Sequence, residues 1–417
     1  MNLIYADNNA TTPVAPEVVA AIQPFLGDQF FNPSSAYDQA RRVGEAVKDA
    51  RKDVAALLGG VAPTQITFTS CATESNNWAL TGVARANPQR RHIITTAVEH
   101  PAVLEVCKDL ARQGYEVTFL PVDRAGQLDM GAYVRALRPD TLLVTIMHAN
   151  NETGVIFPVA DLARIAHETN PQIVFHTDAT QSVGKIPVDL KGEFQHVDLL
   201  SFSGHKLHAP KGVGALYIKR GTPLRPLLIG GHQENGRRAG TENVPYIVGF
   251  GRACRLAIER MGDEERIRQL RDQLENALME NIPFIEVNGR GAPRLPNTLN
   301  LACHYIEGES ILYELNAQSV CASSGSACTS GSLEPSHVLQ AMHIPFTAIH
   351  GSIRFSFSRY NTAAEVENLA ALFPDVVARL RRISPYWDVT KNAPRPTAPK
   401  DIPALHYRSR PTRTGAT

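Results

Sequence analysis

Val197-Asp198-Leu199-Leu200-Ser201-Phe202-Ser203-Gly204-His205-Lys206 is the stretch that decides the fold. An apolar run long enough for one buried strand ends in small polar residues, a histidine and a lysine. A second stretch repeats the plan, with Ile173-Val174-Phe175 leading into His176, Thr177 and Asp178. Strands covered on both faces read as continuous apolar runs, and open α/β sheets place their chemistry at the carboxyl ends of such strands. On these two stretches alone a bland reading stands equally well, with Asp178 capping a loop and Lys206 a solvated surface lysine.

Outward from these stretches, residues 17–218 alternate between strand-like and helix-like text. Strands are expected at 65–69, 92–95, 116–120, 142–147, 173–176, 197–202 and 213–218, with amphipathic segments at 37–58, 101–113 and 159–169. That alternation predicts a mostly parallel sheet with helices on both faces. A Gly- and Arg-rich loop at 230–243 closes this region, and one long charged helix is expected over 245–281. Shorter α+β elements follow at 297–302, 309–316, 335–342, 352–358 and 363–381, which predicts a second, smaller domain. Beyond residue 385 the text becomes Pro-rich and polar, a composition that predicts a mobile tail.

The bulk numbers exclude several classes. Lys plus Arg is 42 against 41 for Asp plus Glu, a net charge of +1 over 417 residues, so nothing electrostatic points to nucleic acid or an anionic membrane. No uninterrupted apolar run has bilayer-spanning length and the N-terminus lacks a basic, apolar leader, so a soluble cytoplasmic protein is expected. The six cysteines include no C-x-x-C pair, which suggests neither a zinc site nor a disulfide framework. His205 and His208 lack a helical metal-binding context and a third ligand, so no metal is expected.

Several segments carry candidate chemistry. An acid and a lysine at neighbouring strand ends suit pyridoxal phosphate, which needs a Schiff-base amine and a carboxylate that keeps its pyridine nitrogen protonated. At the first strand-to-helix junction, Ser70-Cys71-Ala72-Thr73 would expose backbone N–H groups to a phosphate, with Ala72 and Thr73 as the binders; an ordinary helix cap is the alternative. His100, after another strand, suits stacking on a flat cofactor and moving a proton near neutral pH, although a satisfied structural histidine is the commoner case. The run Asn150-Asn151-Glu152-Thr153-Gly154 offers an amide to a phenolic oxygen, and Gln181, three residues past Asp178 at the start of a helical stretch, offers another. From Ala322 to Ser332 only Leu-free, small residues occur, so Cys328 is expected in a mobile, wet segment where a thiol reacts rather than packs; its neighbours supply no cation to lower its pKa. Arg354, inside an apolar strand, needs an anionic partner such as a substrate carboxylate.

Ser203-Gly204-His205-Lys206, Asp178-Ala179-Thr180-Gln181, Asn150 to Gly154, Arg237-Arg238-Ala239-Gly240-Thr241 and the run from Ser324 to His337 together resemble the pyridoxal-phosphate cysteine desulfurases, most of all their nitrogen-fixation (NifS) branch. The match runs in order from Tyr5-Ala6-Asp7-Asn8-Asn9-Ala10-Thr11-Thr12 to about Trp387. The resemblance implies an aminotransferase-like, fold-type I α/β enzyme. Its large cofactor domain would cover 17–255, its small α+β domain 1–16 and 256–387, and a Pro- and Arg-rich mobile tail 388–417.

The implied reaction converts L-cysteine to L-alanine and leaves the sulfur on the enzyme as a persulfide, for iron–sulfur cluster assembly and an iron–sulfur scaffold acceptor of the nitrogenase pathway. By the same resemblance Lys206 carries the Schiff base, Asp178 pairs with the pyridine nitrogen, and His100 stacks on the ring. Gln181 and Asn151 hold the phenolic oxygen, while Ala72, Thr73, Ser203 and His205 bind the phosphate, helped by Thr241 from the second subunit of a homodimer. Asn151 and Arg354 contact the substrate, and Cys328 takes the sulfur. Thr180 departs from a small apolar residue in the family, and its hydroxyl is expected to satisfy local backbone. A selenocysteine lyase, an aminotransferase and a catalytically silent sulfur carrier on the same fold are the rival readings.

Overall fold

The computed structural model describes residues 3–324 and 335–399. A short strand, β1 (Ile4–Tyr5), precedes two helices, α1 (Pro16–Leu26) and α2 (Asp38–Leu57). The alternating region then runs β2 (Ile66–Thr69), α3 (Ala72–Ala86), β3 (His92–Thr96), α4 (Pro101–Arg112), β4 (Glu116–Leu120) and α5 (Met130–Ala136). It continues through β5 (Thr141–Thr145), α6 (Val159–Thr169), β6 (Val174–Asp178), β7 (Leu199–Ser203) and β8 (Gly214–Ile218). Strands β2 to β8 form one sheet in the order β2-β8-β7-β6-β5-β3-β4. The strands β7, β6, β5, β3 and β4 pair in parallel, and β8 alone runs against its two neighbours.

The apolar runs are continuous because both faces of this sheet are covered. Successive side chains point to opposite faces. Ile94, Val144, Phe175 and Leu200 join one buried cluster, while Ile93, Leu143, Val174 and Leu199 join another with Trp78 and Val103 of the helices α3 and α4. Every residue of β6 and β7 is buried, so the polar ends of both strands are fixed in place by the sheet itself.

Two helices, α7 (Val244–Glu259) and α8 (Asp263–Asn281), replace the single helix expected over 245–281. The break has a local cause. Gly262 disfavours a helix interior, and Asp263, Glu264 and Glu265 supply the acidic first turn of a new helix.

The later elements are β9 (Ile285–Val287), β10 (Thr298–Cys303), α9 (Gly308–Ala317), β11 (Val320–Cys321), α10 (His337–Ala341), α11 (Phe346–Ile349), β12 (Ser352–Ser356) and α12 (Ala363–Ile383). Strands β12-β10-β9 form an antiparallel sheet, and β1 pairs in parallel with β11. Ile4 and Ala6 share a core with Leu270, Leu299, Ile353 and Phe373. Val338, Leu339 and Ile349 pack instead on the cluster beneath the large sheet.

The chain beyond residue 387 corrects the expectation of a mobile tail for its first part. The strands β13 (Trp387–Asp388) and β14 (Ala393–Pro394) form a small hairpin. Composition misses it because one aromatic residue suffices as an anchor: Trp387 is buried, stacks edge-on with Phe284, and lies 4.1 Å from the Arg381 guanidinium. Residues 400–417 lie outside the described residues. Among the described residues, no helix is long and apolar enough to cross a membrane.

Candidate active site

Asp178 closes β6, and the strand holds it in register through the histidine two residues earlier. His176 is fully buried, with Nδ1 2.8 Å from Thr145 Oγ1 on one side and Nε2 3.0 Å from Ser201 Oγ on the other. Burial pushes its imidazolium down to about 4, so it is a neutral tie across three strands. The Asp178 carboxylate is then aimed by two donors. Its Oδ1 accepts from the Thr180 backbone N–H at 2.9 Å and its Oδ2 from Asn76 Nδ2 at 2.6 Å.

Lys206 ends the single helical turn Gly204–Lys206 that follows β7. Its Nζ donates to the carbonyls of Asn9, at 2.5 Å, and Ala10, at 2.7 Å. The N-terminal segment that resembles the family therefore supplies the seat of the amine. Gly214, at the start of β8, makes a further close approach possible. A Cβ there would stand 2.9 Å from the Cys71 backbone carbon, so its absence lets the start of α3 pack against the sheet edge beside Ser203.

One cleft with room for about 900 Å³ is lined by Ala72, Thr73, Asn76, His100, Asn151, Asp178, Gln181, Ser203, His205, Lys206 and Arg354. All the expected site residues converge there except two. Thr241 is exposed and stands outside the cleft of its own chain, on a loop fastened by a bidentate Arg51–Glu234 pair (2.6 and 2.7 Å) and by Arg238 to Glu74 at 2.9 Å. Cys328 lies outside the described residues. The chain on either side of them borders the cleft: Ser323 exchanges backbone hydrogen bonds with Arg354, and Ser336 and His337 are cleft residues.

His100 has two duties. Its Nδ1 accepts from the Ala102 N–H at 3.1 Å and so caps α4, which leaves the ring proton of the neutral form on Nε2. Burial holds its imidazolium below the usual histidine range. His205 is likewise neutral, pushed down to about 4 by burial and by the Lys206 charge. Arg354, almost wholly buried, donates from Nη1 to the Asn151 carbonyl at 2.9 Å and from Nη2 to Asp7 Oδ1 at 2.8 Å. Its Nε finds no partner among the described residues. In the 150–154 turn, Asn150 does the structural work, accepting from the N–H groups of Glu152 and Thr153, and Gly154 takes φ +77° where a Cβ would strike Thr298. That division leaves Asn151 to line the cleft.

Two expectations are corrected. Gln181 lies in a turn, not at the start of a helix, because the chain from 180 to 186 closes tight turns. The Thr180 hydroxyl does not satisfy local backbone; among the described residues it is buried without a partner, in a residue that lines the cleft. Sequence reasoning also missed Asn9, Asn76, Asp7 and Lys185. Asn76 carried a signal, since it shares a helix face with Ala72, Ala79 and Val83, where a polar residue must be buried.

The donor set fits pyridoxal phosphate. The fifteen-residue helix α3 begins at the cleft with no side-chain cap on its first N–H groups, an open seat for a phosphate. Beside it the Ser203 hydroxyl is buried without a partner among the described residues, as is Asn76 Oδ1. Unsatisfied buried polar atoms are costly, and a polar ligand that meets them removes that cost. Lys206 and Asp178 supply the tethering amine and the carboxylate. Among the described residues no group of three or more His, Cys, Asp or Glu side chains is arranged to hold a metal ion.

The Aminotransferase class-V family matches residues 4–369. A cysteine desulfurase of Trichormus azollae is 54% identical over 387 residues, which cover 93% of this chain and 96% of that protein. The cysteine desulfurase NifS of Azotobacter vinelandii is 53% identical over 385 residues, covering 92% and 95%. Among solved structures, a NifS-like protein superposes with a TM-score of 0.84 at 39% identity, covering 91% of this chain and 100% of that one. With the sheet, the strand-end acid and the strand-end lysine in one cleft, and with likeness running nearly end to end, this chain belongs to the aminotransferase class-V family.

Proposed function

We propose that this chain is a pyridoxal-phosphate-dependent cysteine desulfurase that converts L-cysteine to L-alanine and keeps the sulfur as a persulfide on Cys328. The observation that carries this reading is the convergence of Lys206, Asp178 and Arg354 on one cleft in a chain more than half identical to cysteine desulfurases. When bound, pyridoxal phosphate supplies an electron sink for the charge left at an amino acid Cα.

The chain's own groups do the rest. Ala72, Thr73, Ser203 and His205 bind the phosphate, and Gln181 and Asn151 bind the phenolic oxygen. Asp178, oriented by Asn76 and Thr180, holds a proton on the pyridine nitrogen. Lys206 tethers the cofactor and, released by the substrate amine, takes the proton from the substrate Cα. Arg354 turns its guanidinium to the substrate carboxylate, a geometry in which two parallel hydrogen bonds add specificity to charge. Because its Nδ1 is occupied by the Ala102 N–H, neutral His100 donates a hydrogen bond from Nε2 to the substrate sulfur and holds it for attack. The Cys328 thiolate attacks that sulfur, the carbon–sulfur bond breaks, and the carbon takes up protons to become alanine.

The finer assignments follow from the same reading. Thr241 stands outside its own cleft, as a residue lent to the phosphate site of a second subunit would, so the chain works as a homodimer. The large domain is taken as 17–255, the small one as 1–16 with 256–387. The likeness to a NifS protein supports sulfur supply to an iron–sulfur scaffold of the nitrogenase pathway in the cytoplasm. Purified enzyme loaded with pyridoxal phosphate is expected to change its visible spectrum on addition of L-cysteine and to form alanine, and borohydride is expected to fix the cofactor to Lys206 in the wild type but not in Lys206→Ala. Cysteine consumption without alanine, or fixation to another lysine, would overturn the reading.

A further inference from the structure

Behind Lys206 lies a second buried lysine that no step above uses. Lys185 is 8% exposed and sits in the turns after β6. The preceding residue explains how it gets there. Gly184 has φ +80°, and a Cβ on it would come within 2.6 Å of a Leu207 methyl, so only glycine lets the chain pass this close to the Lys206 segment. The Lys185 Nζ donates to Gln181 Oε1 at 2.8 Å and to Asn9 Oδ1 at 3.3 Å.

Those two contacts settle the orientation of two amides. An ammonium only donates, so the atoms that face it are oxygens. With Oε1 committed, Gln181 keeps Nε2 as its donor, 3.0 Å from the Asn9 carbonyl at the cleft. Asn9 is fixed as firmly: its Oδ1 also accepts from Asn297 Nδ2 at 3.0 Å, and its Nδ2 donates to Thr298 Oγ1 at 2.9 Å. The same Asn9 carbonyl receives the Lys206 amine.

Resting on the proposed function, we infer that Lys185 is a positioning residue for the cofactor: through Gln181 and Asn9 it fixes which donor meets the phenolic oxygen and where the Lys206 amine sits.

The charges around Lys185 make its removal readable. Lys206, His205 and His208 face it from the segment after β7, Asp263 and Glu264 from α8, Arg260 from the link to α8, and Arg354 and Arg359 from β12 and the residues beyond it. Both histidines are pushed down to about 4 and are neutral, and burial pushes Glu264 up to about 7, so four cations stand against Asp263 and one partly ionised carboxyl. No carboxylate pairs with Lys185 among the described residues. Burial, with the Lys206 charge behind it, pushes the Lys185 ammonium down to about 7.

Loss of Lys185 therefore removes a nearby cation at pH values below about 7 and, at any pH, frees Gln181 to turn its oxygen toward the phenolic oxygen. Both changes hold a proton at that oxygen to higher pH. The test is a visible pH titration of the cofactor-loaded wild type, Lys185→Met, Gln181→Leu and the double variant, with cofactor content and thermal midpoint measured alongside. The midpoint of the spectral titration is expected to move up by about one pH unit in Lys185→Met. In the Gln181→Leu background the same change is expected to add clearly less, because Lys185 acts through that amide. Lys185→Gln, which keeps a donor without the charge, replaces Lys185→Met if the latter fails to hold cofactor, and is expected to give a smaller upward shift. An unmoved midpoint in the lysine variants, or fully additive shifts in the double variant, would overturn the inference. A wild type that shows no cofactor band would overturn the underlying reading instead.

Discussion

Asp178 and Arg354 line one cleft but reach it by different routes. Asp178 ends a buried parallel strand, and its position is set by that strand and the Thr180 N–H two residues on, with Asn76, 102 positions away, as its one distant donor. Arg354 lies on the antiparallel sheet of the later residues, and its partners are Asn151, 203 positions away, and Asp7, 347 positions away. A strand end is thus a local device, legible in a short stretch of text. The arginine site exists only when the N-terminus, the large sheet and the later sheet have all come together.

The largest test strikes the local side. Asp178→Ala leaves Asn76 Nδ2 without its acceptor and the pyridine nitrogen without its counter-charge, so alanine formation is expected to fall about 10³-fold, with the sheet still folded by circular dichroism. A loss under tenfold would mean that Asp178 is structural. His100→Asn separates two roles next. Asparagine caps helices well, so the thermal midpoint is expected to stay within about 1 °C while turnover drops about 10²-fold; an equal fall in both would reduce His100 to a cap.

The non-local side responds differently. Arg354→Lys keeps the charge but loses the fork that spans Asn151 and Asp7, so KM for cysteine is expected to rise about tenfold with a smaller change in kcat. A kcat effect alone would move Arg354 away from the substrate.

The smallest effect is on stability. Burial pushes His148, His176 and His208 down to about 4, below their ordinary value near 6.5. Between these values the unfolded chain binds protons that the folded chain does not, so stability falls as pH drops from 7 to 5. Each histidine costs up to about 2 kcal/mol at pH 5, and His148→Gln is expected to flatten the difference between urea midpoints at the two pH values. An unchanged difference would show that His148 titrates normally.

The same contrast explains how much was legible in the sequence. The strands at the middle of the large sheet were readable because they are apolar-rich runs with turn residues at their ends, the half-exposed edge strand β4 because it alternates, and Asp178 and Lys206 because they follow two of the buried runs. Asn9 was not, because its role as the seat of Lys206 depends on a contact 197 positions away. Asp7 and Lys185 were hidden for the same reason: a short polar stretch and a lysine after glycine look like solvated surface until the fold buries them. The break at Gly262 was legible in its glycine and three acids, but the charge pattern on both sides spoke for one continuous helix. The hairpin that begins at Trp387 defeated a reading by composition, which averages over the few residues that pack, Trp387 and Ala398 among them.

The most direct test of the central claim is a single turnover of the cofactor-loaded enzyme with L-cysteine, followed by trapping of thiols and mass spectrometry of the peptides. One alanine per active chain, with one added sulfur atom on the peptide that contains Cys328 and none on Cys71 or Cys321, is the predicted result. Alanine formed with the added sulfur on another cysteine, or full sulfur release by Cys328→Ala, would contradict it.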